Sequence, residues 1–395
     1  MLLVIETHPI QNHAPVWRYS NQVLGIPVTV IYGSDFSIIG YKDKEFGTSF
    51  SWDVDLLDGY SSIFLSKSDE GGAGSDAEVT INGLEKVINQ VNPSVILSVG
   101  YSPKFHYDAV MVARKFGKPL MFRAETNDQA RVRGPIKRFF RDIVLKRFYR
   151  NFRALLHVGN RSVEHYNRLG FSTDAKWFSP YCVETKSFQT EECSRRLFRD
   201  DARREIGADK DQIVLLFCGK LSPRKAPNLI LEAITKLDCS HQGKFFVLLV
   251  GDGEMRQGLE KDAIRLNIPF KNVGFKKQHE LSRYYHASDL LVLPSIWGET
   301  WGLVVNEALH HGVPAVVSNT VGCAIDLIEP KQTGMIFKNK DSQSLAACLN
   351  YAVQLVGDPA IRIKCKNKVA KYSVEIAAIG IQTAYKVVSK KNSLN

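Results

Sequence analysis

The sequence predicts an α/β protein built from two doubly wound domains that face each other across a cleft. Three observations predict this class. Short apolar runs recur along the 395 residues, each followed by a helix-like stretch. The runs are continuous rather than alternating, as expected for parallel strands buried on both faces by helices. A polar, charge-rich interval divides them into two series. Domains of roughly 150 residues would give two to three units at this length. The chain is divided accordingly into 1–188, 189–372 and a C-terminal helix with tail, 373–395, expected to pack back on the first domain.

The first series is LLVIE (2–6), VTVIYG (28–33), SVILSVG (94–100), PLMFRAE (119–125) and ALLHVG (154–159). Its opening apolar run ends at Glu6 without a basic flank, so it reads as a buried strand rather than a signal peptide. The stretch TKSFQTEECSRRLFRDDARREIGADKDQ (185–212) reads as the connection, with a hinge near 185–210. The second series is IVLLFCG (213–219), FFVLLVGDG (245–253), NVGF (272–275), DLLVLPS (289–295) and PAVVS (314–318); from about Ser373 to Lys391 the pattern is helical. No run reaches the roughly 18 uncharged apolar residues of a spanning helix.

With 44% hydrophobic and 24% charged residues, the composition is that of a folded chain with a large core. Seven scattered cysteines, never spaced CxxC, argue against a disulfide framework and a zinc site, and point to a reducing cytosol. The net charge of +11 concentrates in RVRGPIKRFFRDIVLKRFYRNFR (131–153), with nine Lys or Arg against Asp142. There Phe139, Phe140, Ile143, Val144 and Phe148 interleave with the cations at helical spacing. Either this face lies on anionic lipid headgroups, making the protein peripheral at the inner face of a membrane, or it is core beneath a solvated helix. No recognisable module supports a nucleic-acid partner.

Open parallel sheets bind ligands beyond the carboxyl ends of their strands, so the strand-to-helix loops of the second half hold the candidate site. In GKLSPRKAPNLILEAI a strand ends at Gly219, and Lys220 and Lys225 lie in the turn before a helix. Two ammonium groups beside free helix N–H groups suit a diphosphate; surface lysines flanking a loop are the plainer alternative. LLVGDGEMRQGLE carries half of a dinucleotide fingerprint, but Arg256 follows GDGEM where the full pattern differs, so a tight turn is expected. WGETWGLVVNEALHHGVP places Glu299 in a loop and Glu307 on the following helix, capped by Gly312. Eight residues apart, the two carboxylates differ by roughly 80° about a helix axis and address different parts of one extended ligand. One suits a vicinal diol such as a ribose and the other a second sugar, while Gly298 and Gly302 admit phosphate to the backbone. A loop acid and a helix-surface acid with no such task remain the alternative.

From about Ile213 to Ala352 these residues resemble the nucleotide-binding domain of the family 4 retaining glycosyltransferases, which have the GT-B architecture. The motifs GKLSPRK, VGDGEM, VGFKKQHELSRYYHASDLLVLPS and GETWGLVVNEALHHGVPAVVSNTVG carry the resemblance in order, the last with the Glu-x7-Glu pair as Glu299 and Glu307. THPIQNHAPVWR and WDVDLLDGY resemble the acceptor domain of one bacterial branch. The resemblance implies a nucleotide-diphosphate sugar as donor substrate, no cofactor and no metal, and a glycan or lipid-linked acceptor in surface polysaccharide biosynthesis. It implies that Lys220 and Lys225, next to Gly219, bind the diphosphate. Glu299 contacts the transferred sugar, and backbone N–H groups of Thr300, Trp301, Gly302 and Leu303 face sugar and phosphate. Glu307 holds the ribose, and Val273 and Phe275, within 273–276, lie against the base. Lys220 stands where Arg is usual and Ala226 where glycine is usual. The acceptor-domain histidine of the family falls at Glu125, which either replaces it or leaves the task to His8 or His13. The Asp-x-Asp of WDVD, a metal signature of another transferase fold, is read as structural. A glycoside hydrolase using paired carboxylates, or a non-catalytic nucleotide or glycan binder, are the competing functions.

Overall fold

Two parallel sheets, each covered on both faces, carry the chain. The computed structural model describes residues 1–39, 41–42, 49–50, 55–130, 133–171, 176–238 and 243–390. The first half contributes β1 (Leu2–Glu6), β2 (Val28–Tyr32), β3 (Tyr41–Lys42), β4 (Ser49–Phe50), β5 (Ser61–Phe64), β6 (Val95–Ser98), β7 (Leu120–Ala124), β8 (Ala154–His157) and β9 (Lys176–Phe178). The second contributes β10 (Ile213–Cys218), β11 (Phe245–Val250), β12 (Phe270–Asn272), β13 (Leu290–Leu293), β14 (Ala315–Ser318) and β15 (Gly334–Phe337). The first sheet runs β5-β2-β1-β6-β7-β8-β9 and the second β12-β11-β10-β13-β14-β15; β3 and β4 form a separate antiparallel pair.

The continuous apolar runs have a direct structural cause. Leu2 and Val4 point into one core layer and Leu3 and Ile5 into the other. Val4 lies opposite Val30 and Leu97, and all three are fully buried. The second sheet repeats the scheme, with Leu216 on one side and Leu215 and Phe217 on the other. Each such side chain contributes about 1.5–3 kcal/mol through burial, and a polar residue at any of these positions would face core on either side.

Strand order fixes where the crevices fall. In the second sheet the winding reverses between β10 and β13, and in the first between β1 and β6. Loops leaving adjacent strands at a reversal diverge to opposite faces and leave a cleft between them. The candidate loops 219–227 and 294–302 follow β10 and β13.

The helix Val374–Lys390 returns to the first sheet, where Ala377, Ala378, Ile381 and Ala384 join the layer that contains Leu2 and Val4. Ser179 Oγ donates to Ala377 O at 2.9 Å, and a Cβ on Gly380 would stand 1.8 Å from Phe178 O. Gly380→Ala is therefore expected to destabilise the chain by about 1–3 kcal/mol, measured as a lower thermal midpoint.

Two expectations need correction. Most of the hinge expected at 185–210 is a helix, Glu192–Ile206, fastened to the second domain. Arg203 pairs with buried Asp289 at 3.1 Å, and the same carboxylate accepts from Val214 N at 2.8 Å, so this helix is clamped to the second sheet through its inner face while most of its other charges are exposed. NVGF is not a strand over its length. The strand ends at Asn272, one further backbone bond runs from Val273 N to Leu249 O at 3.0 Å, and Gly274 turns the backbone at φ 73. The sequence reading also passed over β5, β9 and β15, edge strands of only three or four residues, too short to give a long apolar run. Trp52, Asp53 and Val54 of the Asp-x-Asp motif lie outside the described residues. Asp55 accepts from the backbone N–H groups of Leu57 at 2.9 Å and Asp58 at 3.2 Å, a turn-forming role.

Candidate functional site

The loop after β10 leaves Gly219 at φ 141 and packs against the GDG turn after β11. A Cβ on Gly251 would meet Gly219 O at 1.9 Å, and one on Gly253 would meet Leu221 O at 2.5 Å. Both glycines are thus required by backbone approach. They let the GDG turn pack directly against the lysine loop. Lys220 and Lys225 occupy the turn, and the helix that follows, Asn228–Ile234, begins three residues after Lys225. Ala226 stands at φ 48 with its methyl buried, which shows why glycine suits this position: the left-handed region costs an L-residue roughly 1–2 kcal/mol.

The loop after β13 is held from three sides. Ile296 N donates to Arg224 O at 2.9 Å, Arg224 Nη1 donates to Gly298 O at 3.3 Å, and Gly298 N donates to Ala130 O at 2.6 Å from the first domain. Beneath it, Gly322 N donates to Glu299 O at 3.1 Å and Cys323 N to Trp301 O at 2.9 Å. A Cβ on Gly322 would lie 1.8 Å from Thr300 O. Gly322→Ala should therefore push the Glu299–Thr300 loop off its seat and weaken ligand stabilisation far more than it lowers the unliganded thermal midpoint, both read by thermal shift. Gly302, at φ 105, turns the chain into the helix Leu303–His310.

The two glutamates have different surroundings. Glu299 is buried; its Oε2 accepts from Lys225 Nζ and from Ser295 Oγ, the latter at 2.8 Å. Burial opposes its ionisation, but Lys225, Ser295 and Arg224 outweigh burial and hold the carboxyl below its ordinary value. Glu307 is partly buried, and its carboxylate accepts from Tyr285 OH at 2.6 Å, its one side-chain bond among the described residues. Burial raises it to about 7, against the smaller opposing effect of Tyr285. The sequence shows two identical residue types eight apart; the fold lowers the pKa of one and raises that of the other to about 7.

The first domain supplies the opposite wall. A cavity of about 350 Å³ is lined by His13, Tyr101, Arg123, Glu125, Arg133 and Tyr181 among others, and by Thr300 from the second domain. Thr300 Oγ1 donates to Glu125 Oε2 at 2.6 Å, joining the domains across the cleft. His13 rests against Tyr181 edge-on and holds Glu6 Oε1 at 3.0 Å through Nδ1; Trp17 Nε1 donates to the same oxygen at 3.1 Å. His8 faces elsewhere, pairing with Asp76 at 2.8 Å. Sequence reasoning named His13 but not its buried partner Glu6, nor Arg123, Ser295 and Tyr285; their signal is three-dimensional, since they lie from 4 to 57 residues from the groups they bond.

Among the remaining candidates, Trp301 contributes only backbone: its indole is buried in the core and donates to Asn306 Oδ1 at 2.9 Å. Val273 is partly buried and Phe275 is exposed, in the turn between β12 and the helix Gln278–Ala287. Lys276 Nζ lies 5.6 Å from the ring centre of Tyr284. Among the described residues no group of three or more His, Cys, Asp or Glu is arranged to hold a metal ion.

Residues 198–368 match the family model of glycosyl transferases group 1. This stretch covers the whole lysine and glutamate arrangement. An uncharacterized glycosyltransferase of Methanocaldococcus jannaschii is 33% identical over 146 residues, 36% of this chain and 36% of that protein. The D-inositol 3-phosphate glycosyltransferase of Thermomonospora curvata is 34% identical over 161 residues, 38% of this chain and 37% of that protein. The chain thus spans little more than a third of the length of these relatives. Over the full chain the fold is that of the GT-B glycosyltransferases. Sucrose-phosphate synthase from Thermosynechococcus elongatus superimposes with a TM-score of 0.71 at 16% identity, covering 98% of this chain and 99% of that one. Anabaena HepE in complex with UDP gives 0.69 at 15% identity, with 100% of both chains covered.

Proposed function

We propose that the protein is a retaining glycosyltransferase that moves a sugar from a nucleoside-diphosphate sugar to a glycan or lipid-linked acceptor in surface polysaccharide synthesis. The observation that carries this reading is the Lys225–Glu299 pair at the β10/β13 crevice, directly across from the cavity at Glu125. The match of 198–368 to group 1 glycosyl transferases supports it, and the HepE structures with UDP and UDP-glucose support a nucleotide-sugar donor. The spacing of Glu299 and Glu307, with their separate partners, supports the family 4 assignment and tasks at sugar and ribose.

The chemistry follows from charge. Breaking the bond between the anomeric carbon and its phosphate oxygen leaves negative charge on the diphosphate and positive charge on the sugar. An ammonium has three N–H donors; Lys225 uses one on Glu299 and has two to offer the leaving diphosphate, beside Lys220. The N–H groups of residues 300–303, at the start of the helix Leu303–His310, add fixed dipoles toward the same anion. Glu299, kept ionised, faces the developing positive charge. The acceptor hydroxyl attacks from the leaving-group side and its proton passes to the departing phosphate oxygen, so configuration is retained. A lysine at 220 neutralises charge without the forked grip of arginine.

The Glu125–Thr300 bond supports a role for Glu125 in closing the cleft on the acceptor side. Glu125→Gln is expected to raise the acceptor KM several-fold while leaving donor binding within about twofold, measured by product formation at varied acceptor. The whole reading is tested with a thermal-shift panel of nucleotide sugars followed by detection of released nucleoside diphosphate. A true donor at 100 times its Kd adds about 2.7 kcal/mol to stability. No shift with any donor, together with no release, would leave a binder of another kind or a hydrolase.

A further inference from the structure

The basic segment 131–153 is not absorbed by the transfer chemistry. Its described part forms the helix Pro135–Tyr149, preceded by Arg133, while Arg131 and Val132 lie outside the described residues. Leu145, Phe148 and Tyr149 are buried and anchor it to the first domain. Asp142 is taken by Arg168, which also binds Asp128 at 2.7 Å, so the inner face is fastened and the outer face is fixed in direction. That outer face carries Ile136 (72% exposed), Phe139 (62%), Phe140 (63%), Ile143 (41%) and Val144 (56%). The positions are i, i+3, i+4, i+7 and i+8, a single stripe along a helix roughly 22 Å long. Phe148, expected on this face, is core instead. Exposed Lys137, Arg138, Lys146, Arg147, Arg150 and Arg153 accompany the stripe.

We propose that the exposed stripe of the helix Pro135–Tyr149 docks this protein on an anionic lipid bilayer, with the cavity at Glu125 held beside the headgroups. Two phenylalanines and three aliphatic side chains enter the boundary between headgroup and acyl chain, while the cations remain at the level of the phosphates. Charge selects this occupant. A second copy of the same face would bring two clusters of cations together, and a nucleic acid would leave the apolar stripe without a partner. Among the described residues no helix is long and apolar enough to cross a membrane, so contact through this helix is interfacial. The helix also sits at the rim of the cavity: Arg133, just before it, lines the cavity, and Arg141 Nη2 donates at 3.0 Å to Tyr101 OH, which lines it too. Resting on the transfer reading, this position assigns the acceptor to the lipid-linked class, with its head reaching the cavity from the bilayer surface.

The full chain is floated with vesicles of phosphatidylcholine, with and without phosphatidylglycerol, at low and high salt. Phosphatidylglycerol is expected to raise the bound fraction at least about tenfold at low salt, and salt to lower it. Phe139→Ser with Phe140→Ser should cut partitioning about tenfold or more, and Lys146→Glu with Arg147→Glu should remove the preference for anionic vesicles, with thermal midpoints unchanged in both. Wild-type protein that stays in solution with anionic vesicles overturns the proposal. So does equal flotation of the Phe139→Ser, Phe140→Ser protein, or a concentration-dependent dimer that this pair of substitutions dissolves while flotation persists. Flotation needs no donor, so its failure is separate from failure of nucleoside diphosphate release, which tests the transfer reading.

Discussion

Glu299→Ala is expected to lower turnover by about 10²–10³-fold, the size associated with losing one preorganised electrostatic group at a developing charge. The loss should fall on kcat more than on the donor KM, because positive charge on the sugar appears only as its bond to phosphate breaks. Lys225 is the second party to the effect. Its ammonium and the Glu299 carboxylate are only 14% and 11% exposed, so alanine leaves a nearly buried cation without its partner. Unpaired, that cation is free to bind phosphate more tightly, and the donor KM is expected to stay level or fall. Glu299→Gln keeps the place for the Ser295 hydrogen bond and isolates the charge: it should match alanine in turnover while staying closer to wild type in thermal midpoint. Wild-type turnover in either variant would remove Glu299 from the chemistry. A rise in donor KM with unchanged kcat would make it a ground-state contact.

Donor affinity is expected to depend on pH through Glu307. With its carboxyl raised to about 7 by burial, the unliganded site is largely protonated at pH 6 and ionised at pH 8. A carboxylate accepts two hydrogen bonds from a ribose diol, whereas the protonated acid has one oxygen fewer to give. Protons therefore compete with the donor. Affinity should fall toward tenfold per unit below about pH 7, level off above pH 8, and lose this slope in Glu307→Gln, as measured by titration calorimetry from pH 5.5 to 8.5. Stability runs the other way. The folded-state value lies above the unfolded value of 4.5, so Glu307 contributes stability that is fully present below 4.5 and is lost as pH rises through about 7. Glu307→Gln, neutral throughout, should then raise the thermal midpoint at pH 8 and leave it unchanged at pH 4.5. A pH-independent donor affinity in wild type would take Glu307 out of the ribose site.

Several features were legible because a local pattern has one physical cause. Leu2–Glu6 and Ile213–Cys218 read as buried strands since every side chain faces a covered surface. Gly251 and Gly253 read as a turn between strand and helix; the chain turns just after them, with Arg256 N donating to Gly253 O at 3.1 Å, and their lack of Cβ atoms serves packing against the lysine loop. The charge run 185–212 read as a connection with a hinge, and its composition did not show that Arg199 and Arg203 of the helix Glu192–Ile206 reach buried Asp289. The helix Pro135–Tyr149 left two readings open because its periodicity marks an apolar stripe without saying which side is covered; in the fold Phe148 turned inward and Phe139 outward.

By itself the sequence determined the two doubly wound halves, the loops that carry Lys220, Lys225, Glu299 and Glu307, and the glycines on which those loops turn. These follow from hydrophobic burial, from strand and helix periods, and from backbone angles, all of which act between residues near in the chain. Only the tertiary structure decided which carboxylate is charged. Lys225 reaches Glu299 across 74 positions, and Tyr285 reaches the Glu307 carboxylate across 22. The free energy of a buried charge depends on which groups surround it in space, and the order of residues along the chain does not state that.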